Sequence, residues 1–213
     1  MLPALAGQVS LWNRRRKLRL FLRSMRPGPE TTIVDVGVGD TAFETEPGIA
    51  ATHNFFEAVY PWPEQIMAVS DVPLLRFAEA FPRVPSMTAS GTDLPFYDDE
   101  FDIAFSNAVV EHVGDREEQR RFVSELCRVA PKVFLSTPNR WFPVEVHTLV
   151  PLAHWLPRRT RDRVFEALHR DAWRGVELLS PQELLALFPD DVEPKILETR
   201  ITITVAAIRR DSK

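Results

Sequence analysis

The chain has 213 residues, of which 45% are apolar and 26% charged, and a formal net charge of −4. That length suits one domain with a sizeable core, and the composition excludes a disordered or fibrous chain. The mild negative charge argues against a general nucleic-acid binder, and no apolar run approaches the roughly 20 residues of a membrane-spanning helix. Cys127 is the only cysteine, so no intramolecular disulfide can form, which fits a reducing compartment. The first residues place a short apolar piece before the basic cluster, the reverse of a secretory signal, so cytoplasmic residence is expected.

Leu11 to Met25 alternates Leu, Trp and Phe with Arg and Lys at helical spacing and stops at "RPGPE", because Pro and Gly end a helix. This is a basic amphipathic helix. Its basic face is either solvated or in contact with an anionic lipid surface or substrate. Short apolar runs then alternate with helical patterns: the strand "TIVDVG", a helix near His53 to Val59, the strand "QIMAVS", a helix near Pro73 to Phe81, and the strands "VPSMTA" and "FDIAFS". The helix Arg116 to Val129 and the strand "KVFLST" follow. Such alternation points to crossover units around a parallel sheet. Near the end, "PQELLALF" reads as a helix with Pro181 in its first turn, and "KILETR" and "ITITVAAIRR" as closing strands that form an antiparallel edge. The 18 prolines concentrate in loops such as "YPWPEQ", "PNRWFP" and "LVPLAHWLPRR", which they stiffen.

In an open parallel sheet, ligands bind beyond the carboxyl ends of the strands, so Asp35 to Asp40, Ser70 and Asp71, Ser90 to Leu94, and Asn107 should converge. Gly37 and Gly39 in "VDVGVGD" let the backbone approach a ligand closely, and Asp35 can accept hydrogen bonds from an amine or hydroxyl.

The segment Gly91 to Val113, "GTDLPFYDDEFDIAFSNAVVEHV", resembles the part of class I S-adenosylmethionine-dependent methyltransferases in which a strand-end loop cups the adenine and "LPF…FD" leads into the fourth strand. "VDVGVGD" is similar to that family's first motif, and the likeness is to the methyltransferase type 11-like, small-molecule subgroup with a divergent first motif. The resemblance implies an α/β, Rossmann-like fold: a central, mostly parallel sheet with an antiparallel last strand and helices on both faces. It implies S-adenosyl-L-methionine as cofactor, with Asp35, Gly37 and Gly39 at its methionine end. Ser70, Asp71, Ser90, Gly91, Thr92, Leu94 and Asn107 complete the implied cofactor contacts. Three positions depart from the family pattern. Thr41 stands where a third glycine is usual, Ser70 where a ribose-binding acid is usual, and Ser90 where an acid usually reads the adenine amino group; Asp71 and Asp93 are expected to compensate by shifting one position. Residues 1–213 are expected to form a single methyltransferase domain. Within it, 11–25 is the basic helix, 31–138 the cofactor-binding core, 139–175 the acceptor loop and lid helices, and 176–213 the closing helix and strands.

Methyl transfer from a sulfonium is an in-line displacement, and a base is needed for weakly acidic acceptors. His112, beside Glu111 after the fourth strand, is one candidate, with an orienting role as the alternative. Glu111 and His112 also resemble a metal-binding turn of quinone O-methyltransferases, but Ala108 replaces its third ligand, so no metal is assigned. In "PNRWFPVEVHT", Trp141 and Phe142 suit pocket walls, and Arg140, Glu145 and His147 suit orienting groups or the base; an internal Arg140–Glu145 ion pair is the alternative. "HTLVPLAHWLPRRTRDRVFEALHR" reads as a pair of lid helices, with His154 and Trp155 packed on its apolar face. The lid suits a small-molecule acceptor, either lipid-linked or a glycan with acid groups; nucleic acid is not an expected partner, and membrane contact would be peripheral at most. O-methylation is the reading preferred from the resemblance. The departures at Thr41, Ser70 and Ser90 keep open a methyltransferase-like scaffold that binds without catalysis. A nicotinamide dehydrogenase is excluded by the incomplete GxGxxG and the lack of a TyrxxxLys pair.

Overall fold

The structure is a computed structural model that describes residues 2–41, 53–143, 152–167 and 176–210. Its elements in chain order are α1 (Leu2–Met25), β1 (Ile33–Val36), α2 (Phe55–Val59), β2 (Ile66–Ser70), α3 (Leu75–Ala80), β3 (Ser86–Thr88) and β4 (Ile103–Asn107). Then come α4 (Arg116–Val129), β5 (Lys132–Pro138), α5 (Arg158–Ala167), α6 (Pro181–Leu185), β6 (Val192–Thr199) and β7 (Thr202–Arg209). Seven strands make one sheet in the order β3-β2-β1-β4-β5-β7-β6. The first five pair in parallel, and β7 runs antiparallel to both β5 and β6. This is the Rossmann-like, mostly parallel architecture with an antiparallel closing strand.

All four residues of β1 are buried, as expected of a strand covered on both faces. Alternation sorts them between two layers. Val34 and Val36 pack with Phe122, Leu126 and Leu184 on the side of α4 and α6. Ile33 packs with Phe21, Phe56 and Phe77 on the side of α1, α2 and α3. The same parity turns Asp35 toward α1 and α2.

The α1 helix begins at Leu2 rather than Leu11, because Pro3 is tolerated in a first turn and Ala4, Leu5 and Ala6 are strong helix formers. It is fastened by Phe21, which is fully buried and meets Phe56, Phe105 and Phe134 edge-on at 5.1–5.5 Å. The α4 helix starts where Asp115 caps the amides of Glu117 and Glu118, and α6 starts on a reciprocal Ser180–Glu183 capping box with Pro181 in the first turn. Cys127 is a buried free thiol on the core side of α4. Among the described residues, no helix is long and apolar enough to cross a membrane.

Candidate active site

From β1 the chain moves outward to β2 and β3 and then returns to β4 on the other side of β1, so the strand order reverses between β1 and β4. A crevice opens at such a reversal, outside the carboxyl ends of the strands. A cleft of about 390 Å³ lies here, within the ordinary range for small-molecule sites. Its lining includes Gly37 after β1, Ser70 and Asp71 after β2, Ser90, Gly91 and Thr92 after β3, and Val109 and His112 after β4.

Two glycines make that crevice possible. Gly37 has φ +99°, and a Cβ there would lie 2.1 Å from a methyl of Val109. The β1 turn and the β4 loop therefore touch only because Gly37 has no side chain. At Gly91 a Cβ would meet Phe122 of α4 at 2.6 Å. Gly39 is different: its nearest neighbours, His53 and Thr41, would be 3.9 Å from an added Cβ, and it does not line the cleft.

The turn beyond Gly37 is held by Asn54, which lies in the left-handed region at φ 55°. Its amide nitrogen donates to the carbonyls of Gly39 at 2.9 Å and Thr41 at 2.5 Å. Thr41 closes the loop by donating its N–H to the Gly39 carbonyl at 2.8 Å, and the Asp40 carboxylate accepts from the Phe77 N–H in the first turn of α3. Across the cleft, Ser70 is buried while Asp71 is exposed. The Ser90 hydroxyl lies 2.9 Å from that of Thr92 and accepts from the Thr92 N–H. Leu94 points into the core, its N–H donating to Glu125, and does not line the cleft.

Asp35 and Asn107 also lie away from the cleft lining, in a buried charged cluster beneath α1. Burial, then the neighbouring Glu57, push the Asp35 carboxyl well above its ordinary range. Burial raises Glu57 to about 7, although Arg14 opposes the shift. Burial lowers Arg14 to about 10. Lys17 is lowered to about 7 by burial and then by Arg14, against the attraction of Glu111 and Glu198. Its ammonium donates to the side-chain carbonyl of Asn107 at the end of β4. Glu198 of β6 is held by Arg16 at 2.7 Å, and Glu111 accepts from the Thr137 hydroxyl at 2.9 Å. His112 lies 3.9 Å from Glu111, with its side chain 37% exposed at the cleft.

The candidates Glu145 and His147 lie in 144–151, outside the described residues. Arg140 is braced toward α6, donating to Glu183 at 2.7 Å and to the Leu178 carbonyl. Trp155 and His154 both reach the Arg140 carbonyl, so the short helix before α5 is pinned to the loop after β5. Trp141 remains 57% exposed.

Sequence reasoning missed Asn54, Arg14, Lys17 and Glu57. Asn54 had a local signal, as Asn tolerates the left-handed region. Lys17 had a fainter one: Asn13, Lys17, Phe21 and Met25 recur every four residues and are all buried.

Residues 34–132 match the family model described as a methyltransferase domain. No curated protein matches the chain in sequence. Among solved structures, YcgJ from Bacillus subtilis is 16% identical, with a TM-score of 0.61 over 93% of this chain and 100% of that one. N-methyltransferase NodS from Bradyrhizobium japonicum, solved with S-adenosyl-L-homocysteine, is 11% identical, with a TM-score of 0.56 over 93% and 87%. Geranyl diphosphate C-methyltransferase from Streptomyces coelicolor A3(2) is 14% identical, with a TM-score of 0.58 over 92% and 79%. The methyltransferase-domain model thus covers just under half of the chain, and the solved structures share its fold.

The residues present fit that family's cofactor. The bare backbone at Gly37 and Gly91 is a cradle that a Cβ would fill, and the carboxylates of Asp71 and Glu118 and three hydroxyls line the same cleft.

Proposed function

We propose that this chain transfers a methyl group from S-adenosylmethionine to a small-molecule acceptor, with oxygen as the acceptor atom, by in-line displacement. The observation that carries this reading is the cleft at the β1/β4 reversal, which exists only because Gly37 lets the first turn touch Val109. When bound, the cofactor supplies an electrophilic methyl group on a sulfonium.

In this reading the backbone around Gly37 receives the methionine end. Asp71 takes the role of the ribose acid that Ser70 cannot fill, its carboxylate accepting from hydroxyls. Ser90 and Thr92 offer hydroxyls toward the base. His112, at the cleft and beside Glu111, accepts the acceptor's proton or orients it, while Glu145 and His147 remain candidates on the acceptor loop. The Arg-rich, partly apolar lid suits a lipid-linked acceptor or an acidic glycan, and residues 1–213 act as one domain.

Calorimetry with S-adenosylmethionine and S-adenosylhomocysteine tests the cofactor assignment. Micromolar binding supports it; no binding favours a scaffold without catalysis, the reading that Thr41, Ser70 and Ser90 keep open. Labelled cofactor is then offered with phenols, quinols, sugars and lipid-linked glycans, and His112→Ala is compared with His147→Ala. A larger loss of turnover at His112 assigns the base there. Labelling of a co-purifying protein instead would refute the small-molecule acceptor.

A further inference from the structure

Charge is distributed very unevenly along the chain. Residues 1–29 carry seven basic and no acidic side chains, leaving 19 basic against 30 acidic in the remainder. The basic pole is therefore α1 and the turn after it, on an otherwise acidic molecule.

The two faces of α1 do different things. Asn13, Lys17, Phe21 and Met25 are buried against the sheet. Gln8, Trp12, Arg15, Arg19, Leu22 and Arg26 are exposed and recur at alternating spacings of four and three residues, which places the helical ones in a single stripe about 27 Å long once Arg26 is included. Arg15, Arg19, Arg23 and Arg26 have no carboxylate partner among the described residues, unlike Arg16, which is held by Glu198. Large apolar side chains interrupt the arginines: Val9, Trp12 and Leu22 are 43%, 46% and 36% exposed. A shallow surface groove runs between Trp12, Arg15 and Arg19.

We propose that this outer face of α1 docks on an anionic lipid bilayer, lying in the interface without spanning it. Arginines at the headgroup level and an aromatic at the acyl boundary are what an interfacial helix needs. The acidic remainder is repelled by the same surface, so the molecule is oriented with α1 toward the lipid. Interleaved aliphatic side chains favour lipid over nucleic acid, which uses apolar groups chiefly for stacking on bases. This inference stands independently of the proposed reaction.

The test uses the full chain and sedimentation with vesicles of phosphatidylcholine, alone or with about one third phosphatidylglycerol. Binding to the anionic vesicles only, weakened by salt, is expected. Arg15→Gln should weaken it about fivefold and the Arg15→Gln/Arg19→Gln pair about thirtyfold. Trp12→Phe should remove most of a lipid-induced blue shift in emission. Circular dichroism and cofactor calorimetry should be unchanged in these variants, since none of the three residues lines the cleft. No binding to anionic vesicles at low salt, or equal binding by the double variant, would overturn the proposal. So would tighter binding to single-stranded polyuridylate than to vesicles, or a dimer that the double variant dissociates.

Discussion

The cleft and the charged cluster beside it are made of different materials. The cleft wall formed by the turns after β1, β2 and β3 consists of backbone and small side chains, with Asp71 as its exposed carboxylate. The wall beneath α1, behind the cleft, consists of charge: half-buried Arg14 and buried Lys17 from α1, with buried Asp35 from β1 and Glu57 from α2. The first can be rigid without ligand, because close approach is a steric property. The second holds its geometry through proton occupancy, so it should respond to pH where the first does not.

The largest effect should come from Gly37→Val. An added side chain meets Val109 at 2.1 Å and must also adopt φ +99°. Overpacking and backbone strain together should cost about 3 kcal/mol or more, read as a shift in the urea midpoint. Val109→Ala removes the two methyl overlaps at 2.1 and 2.7 Å but leaves the Cβ at 2.9 Å and the strain, so the double variant should be less destabilised than the sum by about 1 kcal/mol or more. Strict additivity would mean that the two turns do not touch.

The charged wall can be separated by pH. Lys17 is lowered to about 7, so above that value the folded chain has released a proton that the unfolded chain keeps until near 10.4. Its contribution to stability therefore rises as pH increases through that window. Glu57 is raised to about 7, so the folded chain keeps a proton that the unfolded chain loses near 4.5, and its contribution falls as pH rises from 4.5 to 7. Asp35, raised by burial and by Glu57, adds to that fall and opposes the Lys17 rise. Lys17→Met should remove the rise above about 7, and Glu57→Gln should make the fall with rising pH shallower by removing Glu57 and easing Asp35, measured by urea unfolding from pH 5 to 10. A profile identical to the parent in either variant would remove that group from the cluster.

A middle-sized effect is expected at the clamp on the glycine loop. Asn54→Ala loses two donated hydrogen bonds to carbonyls and places alanine at φ 55°, costing about 2 kcal/mol. Asn54→Gly retains the backbone conformation and so isolates the clamp; it should weaken cofactor binding with a smaller loss of stability.

How much of this could be read beforehand follows the same division. The strand-to-turn run at Gly37, the helix Arg116–Val129 and the Pro181 turn are local, and local chemistry marked each of them. The buried wall joins α1, β1, α2 and β4, whose residues lie far apart in the chain. A cluster of Arg and Lys looks solvated when only the helix period is known. That Lys17 faces inward while Arg15 and Arg19 face outward depends on Phe21 inserting among Phe56, Phe105 and Phe134. The parity that sends Asp35 to α2 rather than into the cleft needs the sheet's layer assignment, which no short motif contains.

On the small-residue wall, Asp71→Ala should leave the urea midpoint unchanged, because the residue is exposed, yet weaken S-adenosylmethionine binding about tenfold by loss of a charge-assisted hydrogen bond. Unchanged affinity would leave the ribose to Ser70.

Gly39→Ala should perturb the free protein least of all and is for that reason the most discriminating change on this wall. Its φ lies outside the left-handed region, and the new methyl would meet only His53 and Thr41 at 3.9 Å, an ordinary contact. Stability should therefore stay within about 0.5 kcal/mol of the parent. Any loss of cofactor affinity in that variant is then a collision with the ligand rather than a damaged fold, an inference that Gly37→Val cannot support. If Gly39→Ala binds S-adenosylmethionine as tightly as the parent, the methionine end rests on Gly37 alone and the Asn54 clamp acts only on the loop. If affinity falls tenfold or more while the urea midpoint holds, the cofactor reaches beyond the cleft to the second glycine.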